Sequence, residues 1–160
     1  MDREQRVREA RQKAMKKLLA RDRSERELRK LLEGEGFDSG ETEEAVAYVK
    51  SFGYLNDRRY AENYILSAGR KKSRAALRSF LQEKGVAAEI VEAAVAELPE
   101  DESGLIRELL EKKAGPPHVM EDRECRRVFA YLARRGFASG DIWREIRRYA
   151  GAAGREEPLF

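Results

Sequence analysis

Residues 28–37, Leu28-Arg29-Lys30-Leu31-Leu32-Glu33-Gly34-Glu35-Gly36-Phe37, contain a helical stripe, a stop and an apolar residue just after the stop. Leu28, Leu31 and Leu32 stand at i, i+3 and i+4, which places them on one helical face. Gly36 falls where a left-handed residue ends a helix, and Phe37 follows where an apolar side chain folds back on it. The same phrase returns at Gly85-Val86 and Gly136-Phe137, 49 and then 51 residues further on. Aligned on the glycines, the trio matches Leu77, Phe80 and Leu81, then Val128, Tyr131 and Leu132.

The helices after the glycines superimpose as well. Thr42, Val46 and Val49 match Val91, Val95 and Leu98, then Ile142, Ile146 and Tyr149, and in the six columns only Thr42 is polar. An internal duplication is the simplest reading. Ser24-x-x-Glu27 forms a capping box, Ser73 is placed to cap the equivalent helix, and Ser39 and Ser139 are read as caps of the third helices. Each unit also has a leading helix, expected near 4–21, 57–70 and 103–114. The middle one starts at Leu55-Asn56-Asp57, with Asn56 as N-cap and Leu55 and Tyr60 at the positions of a hydrophobic staple. No segment sustains the period-2 alternation of a strand.

The expected fold is therefore all-α: three tandem three-helix repeats, stacked as an elongated, curved array because a unit of about fifty residues makes only a small core alone. The expected boundaries are repeat 1 at 1–55, repeat 2 at 56–100, repeat 3 at 101–152 and a C-terminal tail at 153–160. The stretches 99–103 and 115–121 are the best linkers.

Composition narrows the function. Of 160 residues 41% are hydrophobic and 39% charged, with a mean hydropathy of −0.75, as expected for narrow apolar stripes on exposed helices. No run approaches the roughly 18 apolar residues that span a bilayer, so no membrane association is expected. The charged opening Met1-Asp2-Arg3-Glu4-Gln5 has no apolar signal region, which makes a cytoplasmic address the expectation. A single cysteine, Cys125, and a single histidine, His118, cannot supply a four-ligand zinc site or a disulfide framework. His118 lies beside Pro116-Pro117 in an expected loop, away from any catalytic pairing, and Cys125 is read as a helix-flank residue. With no phosphate loop, HExxH, GxSxG or paired-carboxylate signature, neither a catalytic residue, a metal nor a cofactor is expected. Glu41, Glu43, Glu44, Glu89 and Glu92 are read as solvated residues early in helices, where acids complement the dipole.

The net charge of +3 conceals an alternation: +5 over residues 1–23, −4 over 24–55, +5 over 56–86, −7 over 87–122 and +4 over 123–160. Such a field suits a partner that presents both signs, such as a protein–nucleic acid assembly, although soluble helices alternate charge for simpler reasons too. Two basic clusters are the candidate contact surfaces. One comprises Arg70, Lys71, Lys72, Arg74 and Arg78. The other comprises Arg123, Arg126, Arg127, Arg134, Arg144, Arg147 and Arg148, of which Arg126, Arg134, Arg144 and Arg147 point away from the apolar stripes. Exposed arginine rows contact phosphates or fork onto carboxylates; the plainer reading is solubility and intrahelical pairing. Trp143 is read as flank packing beside Ile142 and Ile146. No helix has the features of a base-reading helix-turn-helix.

The segment Arg21-Asp22-Arg23-Ser24-Glu25-Arg26-Glu27-Leu28, then Gly36-Phe37, then Phe52-Gly53-Tyr54-Leu55-Asn56-Asp57-Arg58-Arg59-Tyr60-Ala61 resembles the RecX family of bacterial regulators of RecA recombinase. The specific part is Gly53, Tyr54, Leu55, Asn56, Asp57, Tyr60 and Ala61. Asn56 stands where the family usually has aspartate, a mild exchange at an N-cap. The second unit has Arg70-Lys71-Lys72 before Ser73 where the family tends to carry a glycine, and the third unit matches in pattern only. The resemblance implies a largely inhibitory protein that binds along the RecA–DNA filament and suppresses strand exchange, ATP hydrolysis and co-protease activity. A monomer that touches DNA, single- or double-stranded, through its basic patches is compatible with that role. The alternative is an autonomous, non-sequence-specific nucleic-acid-binding helical protein; a scaffold for another protein comes next, and an enzyme last.

Overall fold

A computed structural model describes residues 2–153. The tail expected at 153–160 lies, from residue 154 on, outside the described residues. The described residues form nine helices: α1 Arg3–Ala20, α2 Glu25–Gly34, α3 Ser39–Ser51, α4 Asp57–Ala68, α5 Arg74–Glu83, α6 Ala88–Val95, α7 Ser103–Ala114, α8 Asp122–Arg134 and α9 Ser139–Ala153. No strand occurs among them.

The glycine stops are built as their sequence implies. Gly36, Gly85 and Gly136 have φ of 94°, 81° and 94°. The amide after each reaches back over the turn: Phe37 to the Leu32 carbonyl at 3.3 Å, Val86 to Leu81 at 3.1 Å and Phe137 to Leu132 at 3.4 Å. This 6→1 bond consumes a carbonyl the helix end would otherwise leave unpaired. Gly53 is a fourth stop of the same kind, with φ 76° and the Tyr54 amide on the Val49 carbonyl at 3.0 Å. It ends α3 and turns the chain into α4.

The chain divides into two compact units, one of residues 1–65 with 78–95 and the other of 66–77 with 96–160. The middle triplet is thus shared between them. In the first unit, Ala10, Ala14, Leu28, Leu32, Phe37, Ala45, Val46, Val49 and Leu55 form a core under α1, α2 and α3. In the second, Ile106, Leu109, Leu110, Val128, Leu132, Phe137, Ile142, Ile146 and Tyr149 do the same under α7, α8 and α9. Four of the six repeat columns are buried in all three copies, Thr42 included, while Leu31, Phe80 and Tyr131 form a half-buried column and Leu98, half-buried, lies past the end of α6.

Three local expectations are corrected. Asp38, not Ser39, caps α3: its carboxylate accepts the Glu41 amide at 2.7 Å while Glu41 accepts the Asp38 amide at 2.9 Å. Aspartate at this position completes a capping box with Glu41, so the helix starts one residue earlier. Likewise α9 begins with Ser139 already inside it, the Ala138 carbonyl accepting the Ile142 amide. Glu41 itself is not solvated. It is 3% exposed and binds Arg6 Nε at 2.7 Å, and that arginine holds its carboxyl below the usual range.

Candidate partner-binding surface

The motif from Gly53 to Ala61 is mostly a joint. Gly53 supplies the positive φ, Leu55 enters the first unit's core, and Asn56 Oδ1 caps α4 by accepting the Arg59 amide at 3.1 Å. Asp57 Oδ1 accepts the Glu25 amide at 2.8 Å, so the first residue of α4 caps the first turn of α2. Burial pushes the Asp57 carboxyl up, against the pull of that amide. The buried Tyr60 hydroxyl donates to Glu27 and is pushed up to about 12 by burial and by the Glu27 charge. Burial opposes ionisation of Glu27 too, yet the Ser24 amide, Lys84 and Tyr60 together hold its carboxyl below the usual range. Ser24 accepts the Glu27 amide at 3.2 Å and donates its hydroxyl to the Lys84 carbonyl at 2.7 Å. The motif's Tyr54 ring is left outside, 51% exposed beside Phe52, whose ring lies 6.1 Å away.

The first basic cluster is partly committed to structure. Arg78 Nε binds Glu92 at 2.7 Å and Nη2 reaches its other oxygen at 3.4 Å, a forked pair. Arg74 is half-buried and its amide donates to Glu102 at 2.9 Å, while Ser73 Oγ caps α5 through the Ala76 amide at 3.0 Å. Lys72 is half-buried; Arg70 and Lys71 are exposed. The Lys71 carbonyl accepts Arg135 Nη1 at 3.3 Å, and the Ser73 amide donates to the Arg135 carbonyl at 2.9 Å.

The second cluster is presented to solvent. Arg123, Arg126, Arg127, Arg134, Arg144, Arg147 and Arg148 are all exposed. Arg144 reaches Asp141 at 3.1 Å, Arg148 lies 3.6 Å from Glu145, and Arg126 Nε touches the Asp122 carbonyl at 3.4 Å. Arg123, Arg127, Arg134 and Arg147 form no ion pair among the described residues. Beneath the row, Glu145 is 2% exposed and bonded to Arg107 at 2.9 and 3.2 Å.

Between the second and third helices of each triplet lies a pair of matching positions. In the first they hold Arg29 and Glu43, bonded Nε to Oε1 at 2.7 Å, and in the second Arg78 and Glu92 at the same distance. In the third, 51 residues beyond Arg78 and Glu92, they hold Phe129 and Trp143, stacked with ring centres 4.8 Å apart and 22° between planes. Sequence reasoning placed Trp143 on the helix flank, where it lies, without seeing this exchange; aligning the charged columns as well as the apolar ones exposes it.

His118 occupies the segment between α7 and α8, with Nδ1 2.9 Å from the Pro116 carbonyl and 3.0 Å from the Tyr149 hydroxyl, and Nε2 against Glu124. The Pro116 carbonyl and Glu124 raise its pKa. Tyr149 donates its hydroxyl toward the Gly115 and Pro116 carbonyls, at 2.9 and 2.7 Å. Among the described residues no cluster of histidine, cysteine or carboxylate is arranged to hold a metal, and no helix is long and apolar enough to cross a membrane.

Comparison with known proteins agrees along the chain. The first, second and third three-helix domains of RecX match residues 10–49, 56–95 and 100–146. The regulatory protein RecX of Amycolatopsis mediterranei is 32% identical over 98% of this chain and 92% of its own length. That of Syntrophotalea carbinolica is 33% identical over 81% of this chain and 89% of its own. The crystal structure of RecX from Lactobacillus salivarius superimposes with a TM-score of 0.72, covering 91% of this chain and 97% of that one, at 19% identity. A second crystal structure of a regulatory protein RecX gives 0.66 at 19% identity, over 89% of this chain and 72% of that one. At that identity the structural likeness speaks for the fold.

Proposed function

The chain belongs to the RecX family, and on that premise we propose that it binds the filament of RecA recombinase on DNA and restrains its activity, by contact and not by catalysis. The observation that carries the reading is the exposed arginine row of α8 and α9, several of whose members have no carboxylate partner within the described chain. A surface of guanidinium groups suits an acidic protein face or phosphate oxygens. Repeated helical triplets offer several weak contacts to a repeating partner, and each contact raises the effective concentration of the next. Work on a DNA-bound filament also places the protein in the cytoplasm, and a monomer suffices for it.

The test is RecA-dependent ATP hydrolysis on single-stranded DNA with substoichiometric protein added. Inhibition is expected. Charge reversal at Arg126, Arg144 and Arg147 should weaken filament binding with helicity unchanged, and unchanged binding would remove that face from the contact. The second reading, a nucleic-acid-binding protein with no recombinase partner, is favoured by the same arginines if hydrolysis is unaffected while naked DNA binds in a salt-sensitive way.

A further inference from the structure

We propose that the Phe129–Trp143 stack, with Arg126, Arg144 and Arg147 around it, is a site for an unpaired base of single-stranded nucleic acid. On α3 three matching outward positions hold Glu43, Glu44 and Ala47; across α6 and the residue just after it they hold Glu92, Ala93 and Ala96; on α9 they hold Trp143, Arg144 and Arg147. The formal charge of this trio runs −2, −1, +2. Packing does not call for the change, because a forked Arg–Glu pair bridges the same two helices in both other repeats.

The third repeat has exchanged a self-satisfied ion pair for a flat aromatic surface and moved the charge outward. Trp143 lies against Phe129 yet keeps 39% of its surface in solvent. One turn from the stack, helix spacing sets Arg126 on the face of Phe129 and Arg147 on that of Trp143. Neither has a carboxylate partner among the described residues, and Arg144 holds only the exposed Asp141 contact at 3.1 Å. An indole backed by a second ring and flanked by guanidinium groups, two of them without a carboxylate partner among the described residues, matches what single-stranded nucleic acid presents: a π-face on each base and a phosphate on each side. An apolar peptide would need an aliphatic rim, whereas the neighbours here are arginines. A duplex hides its base faces and is excluded as the ligand.

The proposal stands apart from the filament reading, because naked oligonucleotide suffices to test it. Trp143 is the only tryptophan of the chain, so its emission reports on the site directly. Titration of the full chain with oligothymidylate should quench that emission saturably, and a duplex of equal length should not. Followed by the anisotropy of a labelled oligothymidylate, Trp143→Leu should weaken binding about tenfold, as loss of one stacked base does. Trp143→Phe, which keeps a ring in place, should retain most of the affinity, and this guards against a folding defect in the leucine variant. Arg126→Ala with Arg147→Ala should flatten the dependence of log affinity on log salt by roughly 0.7 for each phosphate no longer held. Oligothymidylate bound with unchanged emission, or equal affinity of the leucine variant, would overturn the site. So would emission that responds to RecA protein alone and not to oligothymidylate, which would make the face a protein-docking surface.

Discussion

In the first repeat α1 meets α3 through Ala10, Ala14 and Ala45, all fully buried, whereas in the third α7 meets α9 through Ile106, Leu109 and Leu110. Side chains as small as alanine let two helices run close, while larger ones hold them further apart. The column that holds Ala45 in repeat 1 and Ala94 in repeat 2 holds Glu145 in repeat 3. Each of the two repeats then ties its leading helix to its third helix with a buried carboxylate, Glu41 to Arg6 in one and Glu145 to Arg107 in the other, but from different columns. Their helix ends differ too. Capping boxes start α1, α2 and α3, while α7 and α8 begin without a side-chain cap. The first repeat is secured by side-chain bonds at its helix ends, whereas the third lacks them at α7 and α8 and carries arginines on its outer face.

The comparison breaks most readily at Arg107. Arg107→Ala leaves the Glu145 carboxylate buried beside only the 3.6 Å contact with Arg148, and should cost about 3 kcal/mol in urea unfolding. Glu145→Ala, which installs the alanine of the other two repeats, should cost clearly less. Equal losses would mean that the stability comes from the pair itself and not from the cost of stranding a buried carboxylate. On the other side, Ser24→Ala removes the cap of α2 and the bond to the Lys84 carbonyl together, with an expected loss of about 2 kcal/mol. Ser139→Ala, at a serine that caps nothing, should be near neutral by the same assay. Gly53→Ala places a Cβ at φ 76° and should cost about 1 kcal/mol, read as a lowered melting temperature with total helix content intact by circular dichroism.

The smallest expected effect is that of pH on the third repeat. The folded state raises the pKa of His118 above its ordinary 6.5, so folding favours the imidazolium. Its contribution is complete below the unfolded value and fades as pH rises through the folded one. Stability should therefore drift down as pH rises past the ordinary imidazole value of 6.5, and His118→Gln should flatten that drift. A drift that persists in the variant would locate the titrating group elsewhere.

The sequence disclosed what is periodic and local. The apolar columns, the glycine stops and the caps at Ser24, Asn56 and Ser73 each involve residues within one turn or one repeat. It concealed what depends on distant partners: Arg6 lies 35 residues from Glu41, and Arg107 lies 38 from Glu145. Nothing in the stretch around either glutamate marks it as buried. Arg78 looked like part of a basic patch because its partner, Glu92, is on another helix 14 residues away. The candidate surface was legible in α8 and α9, where an arginine row faces away from the stripe, and less so around residue 70, where backbone contacts decide which cations are committed.

The bond from Asp57 to the Glu25 amide, with Ser24 to Lys84 and Tyr60 to Glu27, puts the unit of inheritance and the unit of folding out of phase. Duplication copied about fifty residues at a time, but a fragment ending at Ser51 would keep the Ser24 cap and lose Asp57, which accepts the first amide of its second helix. Excision of the first repeat at its sequence boundary should yield a frayed peptide. A cut that keeps residues 1–95 retains every one of these bonds, and the smallest piece of this protein able to stand alone is therefore nearer two copies than one.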